Sequence, residues 1–173
     1  MSPMAVETTS TTTTTPAIKT HPDLLYVHRS PKAFASAAIS QTDLPAGALF
    51  TKITTATPAP KAYTSVQTGP DTHIELNSDL VFINHSCTPS LVFDMHNMEV
   101  RVVDDRPLKK GDALTFFYPS SEWDMGQPFE CACGAGEGKC LGRISGAKDM
   151  SEEALKGYWL NPHIEQMKRS QRV

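Results

Sequence analysis

The sequence predicts a mainly β body (α+β overall) with α-helix confined to its C-terminal end. Three observations carry this. Short apolar runs of strand type recur between Leu24 and Tyr118 at intervals of roughly 8–12 residues, punctuated by Pro, Gly and Asp. Helix start signals occur only from Ser151 onward. Three cysteines, Cys131, Cys133 and Cys140, crowd one short Gly-rich segment.

The elements follow in order. Residues 1–20 form a Thr-rich tail with almost no large apolar side chain. Such a segment cannot bury enough surface to offset its ordering entropy, so a disordered tail is expected. Leu24 to Val27 is a first strand-type run, and Phe34 to Ile39 is apolar and mostly small. Asp43 to Gly47 is a turn leading to a strand over Ala48–Ile53. Thr57 to Pro60 is an irregular connection, Tyr63 to Gln67 alternates weakly, and Gly69-Pro70-Asp71 turns the chain. Leu80-Val81-Phe82-Ile83 is a continuous apolar run that predicts a buried strand. Leu91–Phe93 and Val100–Val103 pair as a hairpin around His96-Asn97. After the Lys109–Asp112 turn, Ala113–Tyr118 is a further strand. Ser151 caps one helix with Glu152 and Glu153 in its first turn. Asn161 caps a second, with Pro162 at its first position and Lys168 and Arg169 near its end.

Composition limits the function classes. With 16 Lys and Arg against 19 Asp and Glu, the net charge of −3 argues against direct nucleic-acid binding. No apolar run approaches the ~20 residues of a membrane span. No signal-peptide pattern or Arg-rich transit peptide is visible, so an intracellular protein, cytoplasmic or nuclear, is expected.

The cysteines carry the sharpest chemical signal. Cys131-Ala132-Cys133 and Cys140 are joined by a loop with three glycines, which lets it fold back. A disulfide across one residue would close a small strained ring, whereas a turn lets the thiolates converge on Zn²⁺. A structural zinc needs a fourth ligand. Cys87 is the remaining cysteine, and His85 or His96 offers an alternative. Without a metal, these would be buried free thiols or a disulfide pair.

Three motifs in order then point to a family. Phe82-Ile83-Asn84-His85-Ser86-Cys87-Thr88-Pro89-Ser90 resembles the Asn-His-Ser-Cys-x-Pro-Asn element of SET-domain proteins. Gly111 to Tyr118 resembles their Gly-Glu-Glu-Leu-Thr-Phe-x-Tyr element, and the cysteine segment resembles the post-SET zinc loop. The resemblance covers roughly residues 24–147. It implies a SET domain over 21–118, a post-SET segment over 119–147 and a helical extension over 148–173. It also implies small β-sheets closed by a knot-like C-terminal threading. The implied activity is protein-lysine methylation from S-adenosylmethionine. Tyr118 would be the catalytic tyrosine and Phe116 would line the lysine pocket. Asn84 and His85 would contact the cofactor, with Trp123 or Phe129 closing over it. Cys87, Cys131, Cys133 and Cys140 would hold the zinc.

The pattern departs from the family in several places. Ala33 and Ala35 flank Phe34 where the family carries a Gly-x-Gly cofactor element. If either position needs φ > 0, alanine costs ~1–2 kcal/mol there. Ser90 replaces Asn, Asp112 replaces Glu, and the loop between Cys133 and Cys140 is long. The stretch between Ile53 and Asn84 is short for a peptide platform. That shortness and the missing glycines favour one alternative, a SET scaffold turned to a small-molecule tailoring or cyclising step without methyl transfer; the Thr-rich tail and C-terminal helices, read as contact segments, favour another, a non-catalytic binding module.

Overall fold

A computed structural model describes residues 19–33 and 35–172. The Thr-rich stretch through residue 18 and Phe34 therefore lie outside the described residues. Among the described residues, four small sheets make up the body. Strands β1 (Leu25–His28) and β2 (Ala37–Ser40) form an antiparallel pair. Strands β3 (Leu49–Lys52), β7 (Asn84–His85), β8 (Leu91–Asp94), β9 (Glu99–Val102) and β10 (Thr115–Phe116) form a five-stranded sheet in the order β3-β9-β8-β10-β7. Strands β4 (Thr57–Ala59), β5 (Val66–Gly69) and β6 (Thr72–Glu75) form a third sheet, and β11 (Phe129–Glu130) pairs with β12 (Arg143–Ile144). Helices α1 (Glu152–Leu155) and α2 (Pro162–Ser170) close the chain.

The β8–β9 hairpin forms for the reason its sequence gives. Leu91, Phe93, Val100 and Val102 alternate with half-exposed neighbours, so one face enters the core. Phe93 is fully buried and stacks on Phe116, ring centroids 4.1 Å apart. Strand β10 lies between β8 and β7 and runs parallel to both. This brings Asn84-His85 and the end of β10 side by side.

Three expectations change. Leu80–Ile83 is not a strand; Asp79–Phe82 is a 3₁₀ turn. Leu80 and Ile83 are both buried while Val81 is exposed, which is the three-residue repeat of a 3₁₀ helix, not strand alternation. Asp79 anchors the turn by accepting the Thr20 N–H at 2.9 Å and donating its own N–H to the Thr20 hydroxyl at 2.8 Å. The predicted strand over Ala113–Tyr118 is divided. Ala113 bridges to Ile39 and the Leu114 N–H donates to Ala38, whereas Thr115–Phe116 joins the central sheet, and Tyr118–Ser120 is a 3₁₀ turn. The irregular Thr57–Pro60 segment supplies β4, an edge strand, where proline is tolerated.

A second, smaller core gathers Phe117, Ala147, Leu155 and Ile164. It is joined to the first by buried polar contacts. Asn161 stands at the start of α2, but its side chain makes no capping bond there. Instead it accepts the Met95 N–H and donates to the carbonyls of Phe93 and Ser120, all between 2.8 and 3.0 Å. Ser151 does cap α1, accepting the Ala154 N–H at 3.1 Å. Residues 145–148 run back along 122–125, and Gly146 (φ +111°) is required there. A Cβ at that position would sit 2.5 Å from the Trp123 carbonyl oxygen. Among the described residues no helix is long and apolar enough to cross a membrane.

Glu122 completes this seam. It accepts the Gln67 N–H at 2.8 Å and the Ser121 hydroxyl at 3.2 Å. Burial is the dominant influence and pushes its carboxyl up to about 7, against the pull of these donors. A folded-state value raised above the unfolded one means that the folded protein holds the proton more tightly. The associated stability is complete at acid pH and is lost as pH rises from about 4.5 through about 7. Glu122→Gln keeps both accepted bonds and removes the titration. Denaturant unfolding at pH 5 and pH 8 should show the wild type losing roughly 2–3 kcal/mol that the variant retains. An identical pH slope in both proteins would contradict this.

Candidate functional site

The site lies where β7, β10 and the cysteine segment meet. The β7–β10 ladder pairs Thr115 with Asn84 and Phe116 with His85, and then stops because the chain turns at Tyr118. The Tyr118 N–H, left without a strand partner, donates to His85 Nδ1 at 3.2 Å. The Tyr118 hydroxyl donates to the Ile83 carbonyl at 3.3 Å. Tyr118 is partly buried; desolvation, followed by the nearby Glu122 carboxylate, holds its hydroxyl well above the usual tyrosine range. It stays protonated at any working pH.

An aromatic cage surrounds it. The rings of Phe116, His85 and Phe129 lie 4.7, 5.4 and 6.0 Å from the Tyr118 ring, centroid to centroid. Phe129 also meets His85 edge-on at 5.7 Å. Burial holds the His85 imidazole down to about 4, so it is neutral. Asn84 Nδ2 donates to the Ser36 carbonyl at 2.8 Å. That bond ties the loop carrying Ala33 and Ala35 to the same corner. Both alanines are exposed, and Ala33 does not take a positive φ. The strain that alanine would suffer in a left-handed conformation is therefore absent at Ala33.

Cys87, Cys131, Cys133 and Cys140 converge. Their four sulfurs lie within 4.8 Å of one another, with Cys87 and Cys131 3.8 Å apart. A tetrahedron with metal–sulfur bonds of ~2.3 Å has edges of ~3.8 Å, so the donor set and its spacing fit a four-thiolate metal ion. The loop reaches this shape because Gly134, Gly136 and Gly138 all take positive φ. Cys87 Sγ also accepts the Leu141 N–H at 3.4 Å. His85 and His96 lie outside the group of four sulfurs. His85 Nε2 sits 3.4 Å from Cys87 Sγ, beside the cluster, and His96 is exposed in the β8–β9 turn.

Of the residues the sequence singled out, Asn84, His85, Phe116, Tyr118 and Phe129 come together, and the four cysteines adjoin them. Trp123 does not join this cage. It packs in the second core, with the Lys168 ammonium 5.3 Å above its ring. Three participants carry no sequence signal. The Ile83 carbonyl is main chain. Tyr158 donates to the Cys87 carbonyl at 2.8 Å and stacks on Phe117 at 3.7 Å. Glu122 reads in sequence as an ordinary surface acid.

The SET domain family model matches residues 14–119, more than half of the chain. The chain belongs to the SET domain family. "Methyltransferase flvH" of Aspergillus flavus is 60% identical to it over 148 residues, covering 85% of this chain and 82% of the relative. The SET match spans β1 to β10 and ends beside Tyr118, so the cysteine segment that packs on this site lies outside it.

Metal removal tests the cluster. A metal-loaded protein should carry one thiophilic ion per chain, and a strong chelator should lower its melting temperature because local folding and binding are coupled. Cys140→Ser should weaken metal retention and lower the melting temperature in the same direction. A metal-free protein that melts at the same temperature as the loaded one would count against the cluster as a metal centre.

Proposed function

We propose that the chain is a methyltransferase that moves a methyl group from S-adenosylmethionine to a lysine amine, with zinc as the structural metal of the four cysteines. The observation that carries this reading is the Tyr118 hydroxyl, set in an aromatic cage with its proton committed to the Ile83 carbonyl. Its oxygen therefore offers lone pairs. It can accept an N–H from an incoming amine and so direct the amine's own lone pair along one line. Methyl transfer from a sulfonium is an in-line displacement, and alignment supplies much of such an acceleration.

The amine must arrive neutral. A water-poor aromatic cage disfavours the ammonium form, which lowers the amine's pKa in place. Phe116 adjoins Tyr118 and suits a wall of the amine channel, where its bulk would limit how many methyl groups are added. S-adenosylmethionine supplies the reactive methyl. The residues suited to hold it are the Ala33–Ala35 backbone with Phe34, Asn84 and His85, and the Phe129 ring from the cysteine segment. Ordinary φ at Ala33 supports this, since that position can present its backbone without glycine. The name of the flvH relative supports methyl transfer as the reaction class.

The lysine amine belongs either to a protein or to a small molecule. The region between β3 and β7 holds short strands β4–β6 and the Asp79–Phe82 turn, a limited platform for a peptide, and this favours a small amine as the second reading.

Turnover with methyl-labelled S-adenosylmethionine, offered protein, peptide and small-amine acceptors, tests the reading. The wild type should label an amine, and Tyr118→Phe should lose roughly 100-fold or more in kcat, the scale of a misaligned in-line reaction. Absence of transfer to every amine would remove methyl transfer and leave the tailoring or binding-module alternatives.

A further inference from the structure

His85 stands between two features so far treated separately, the cysteine cluster and Tyr118. The Tyr118 N–H is an unambiguous donor, so His85 Nδ1 accepts and carries no proton. In a neutral ring the proton then sits on Nε2. That nitrogen lies 3.4 Å from Cys87 Sγ, within reach of an N–H···S bond. The hydrogen bonds thus run in one direction: Tyr118 N–H to Nδ1, then Nε2–H to the Cys87 sulfur. The ring is clamped by Phe117, Tyr118 and Phe129, centroids 5.4–5.7 Å away, and is only 8% exposed. It has little room to turn over.

We propose that His85 is a positioning residue whose imidazole links the four-thiolate metal centre to the backbone of Tyr118, so that metal loading and placement of the tyrosine reinforce each other. The geometry asks for more than satisfaction of a stray N–H. An acceptor at the Nδ1 position alone would do that. The second nitrogen is aimed at a sulfur that already accepts the Leu141 N–H, and each such donor disperses thiolate charge. A metal on Cys87 fixes the position of the sulfur that faces Nε2, which holds the ring in the orientation that receives Tyr118. Conversely, a seated Tyr118 fixes the ring that supports the metal ligand, because coupling of this kind is reciprocal. Both nitrogens are committed within the chain, so His85 would meet a cofactor through its backbone or ring face.

The effect on turnover rests on the methyl-transfer reading; the link itself does not. The first measurement is therefore structural. Long-range proton–nitrogen spectra of the metal-loaded full chain should find His85 Nε2 protonated and Nδ1 bare. Loading with a magnetically active cadmium isotope should give a through-hydrogen-bond coupling between the metal and the Nε2 proton. Two variants separate the arms. Asparagine places an acceptor near the Nδ1 position, and glutamine places a donor near the Nε2 position. His85→Asn should keep the Tyr118 bond but lose metal affinity by about ten-fold in chelator competition, the scale of an outer-shell loss. His85→Gln should retain metal affinity yet lower kcat more than it raises KM.

A protonated Nδ1, no metal–proton coupling, or wild-type metal affinity in His85→Asn would overturn the link. Should neither variant fold, the wild-type spectra decide. Should no amine be methylated, the methyl-transfer reading fails while the spectra and the metal titration still test the link.

Discussion

Cys87 is the point on which the C-terminal third of the structure hangs. Its sulfur belongs to the four-cysteine cluster, its carbonyl accepts Tyr158, and the imidazole two residues earlier contacts both that sulfur and the Tyr118 backbone. The cysteine segment has little else to hold it. Between Cys131 and Cys140 the side chains are mostly exposed, and the β11–β12 pair is two residues long. Sulfur convergence therefore does what apolar burial cannot do there. It brings Phe129 against His85 and Tyr118, and so completes a cage that the central sheet leaves open.

Around that pin the two cores meet through polar groups. Asn161 reaches across to Phe93, Met95 and Ser120, and Gln67 exchanges bonds with Glu122 and Trp123. Lys168 donates to the carbonyls of Lys148 and Met150. Directional bonds of this kind specify one docking geometry, where an apolar seam would tolerate sliding. The orientation of Tyr118 depends on it, because the tyrosine sits at the turn that leads from one core into the other.

Much of this was legible in the sequence wherever one residue's neighbours decide its state. The β8–β9 hairpin was readable because one of its faces is buried, and period-two alternation follows from that alone. The cysteine triplet was readable because its ligands are local. Its fourth member was open among Cys87, His85 and His96, since chain separation says nothing about which side chain the fold brings near. Leu80–Ile83 misled because four apolar residues in a row suit a strand or a turn, and the Thr20–Asp79 contact that selects the turn spans the domain. Asn161 sits where a cap was expected, but its side chain serves a tertiary seam. Trp123 and Phe129 were equal prospects for the cage. Only the fold of the cysteine segment separates them, and it sends Trp123 under Lys168.

The candidate active site is a product of the four-cysteine segment as much as of the sheet that carries Tyr118. Calorimetric titration of S-adenosylmethionine into the metal-loaded protein, and into the same protein stripped of metal, tests this most directly. Binding near one equivalent is expected in the loaded protein, and little or none in the stripped protein, even where its β-sheet signal persists. Equal affinity in the two preparations would contradict it.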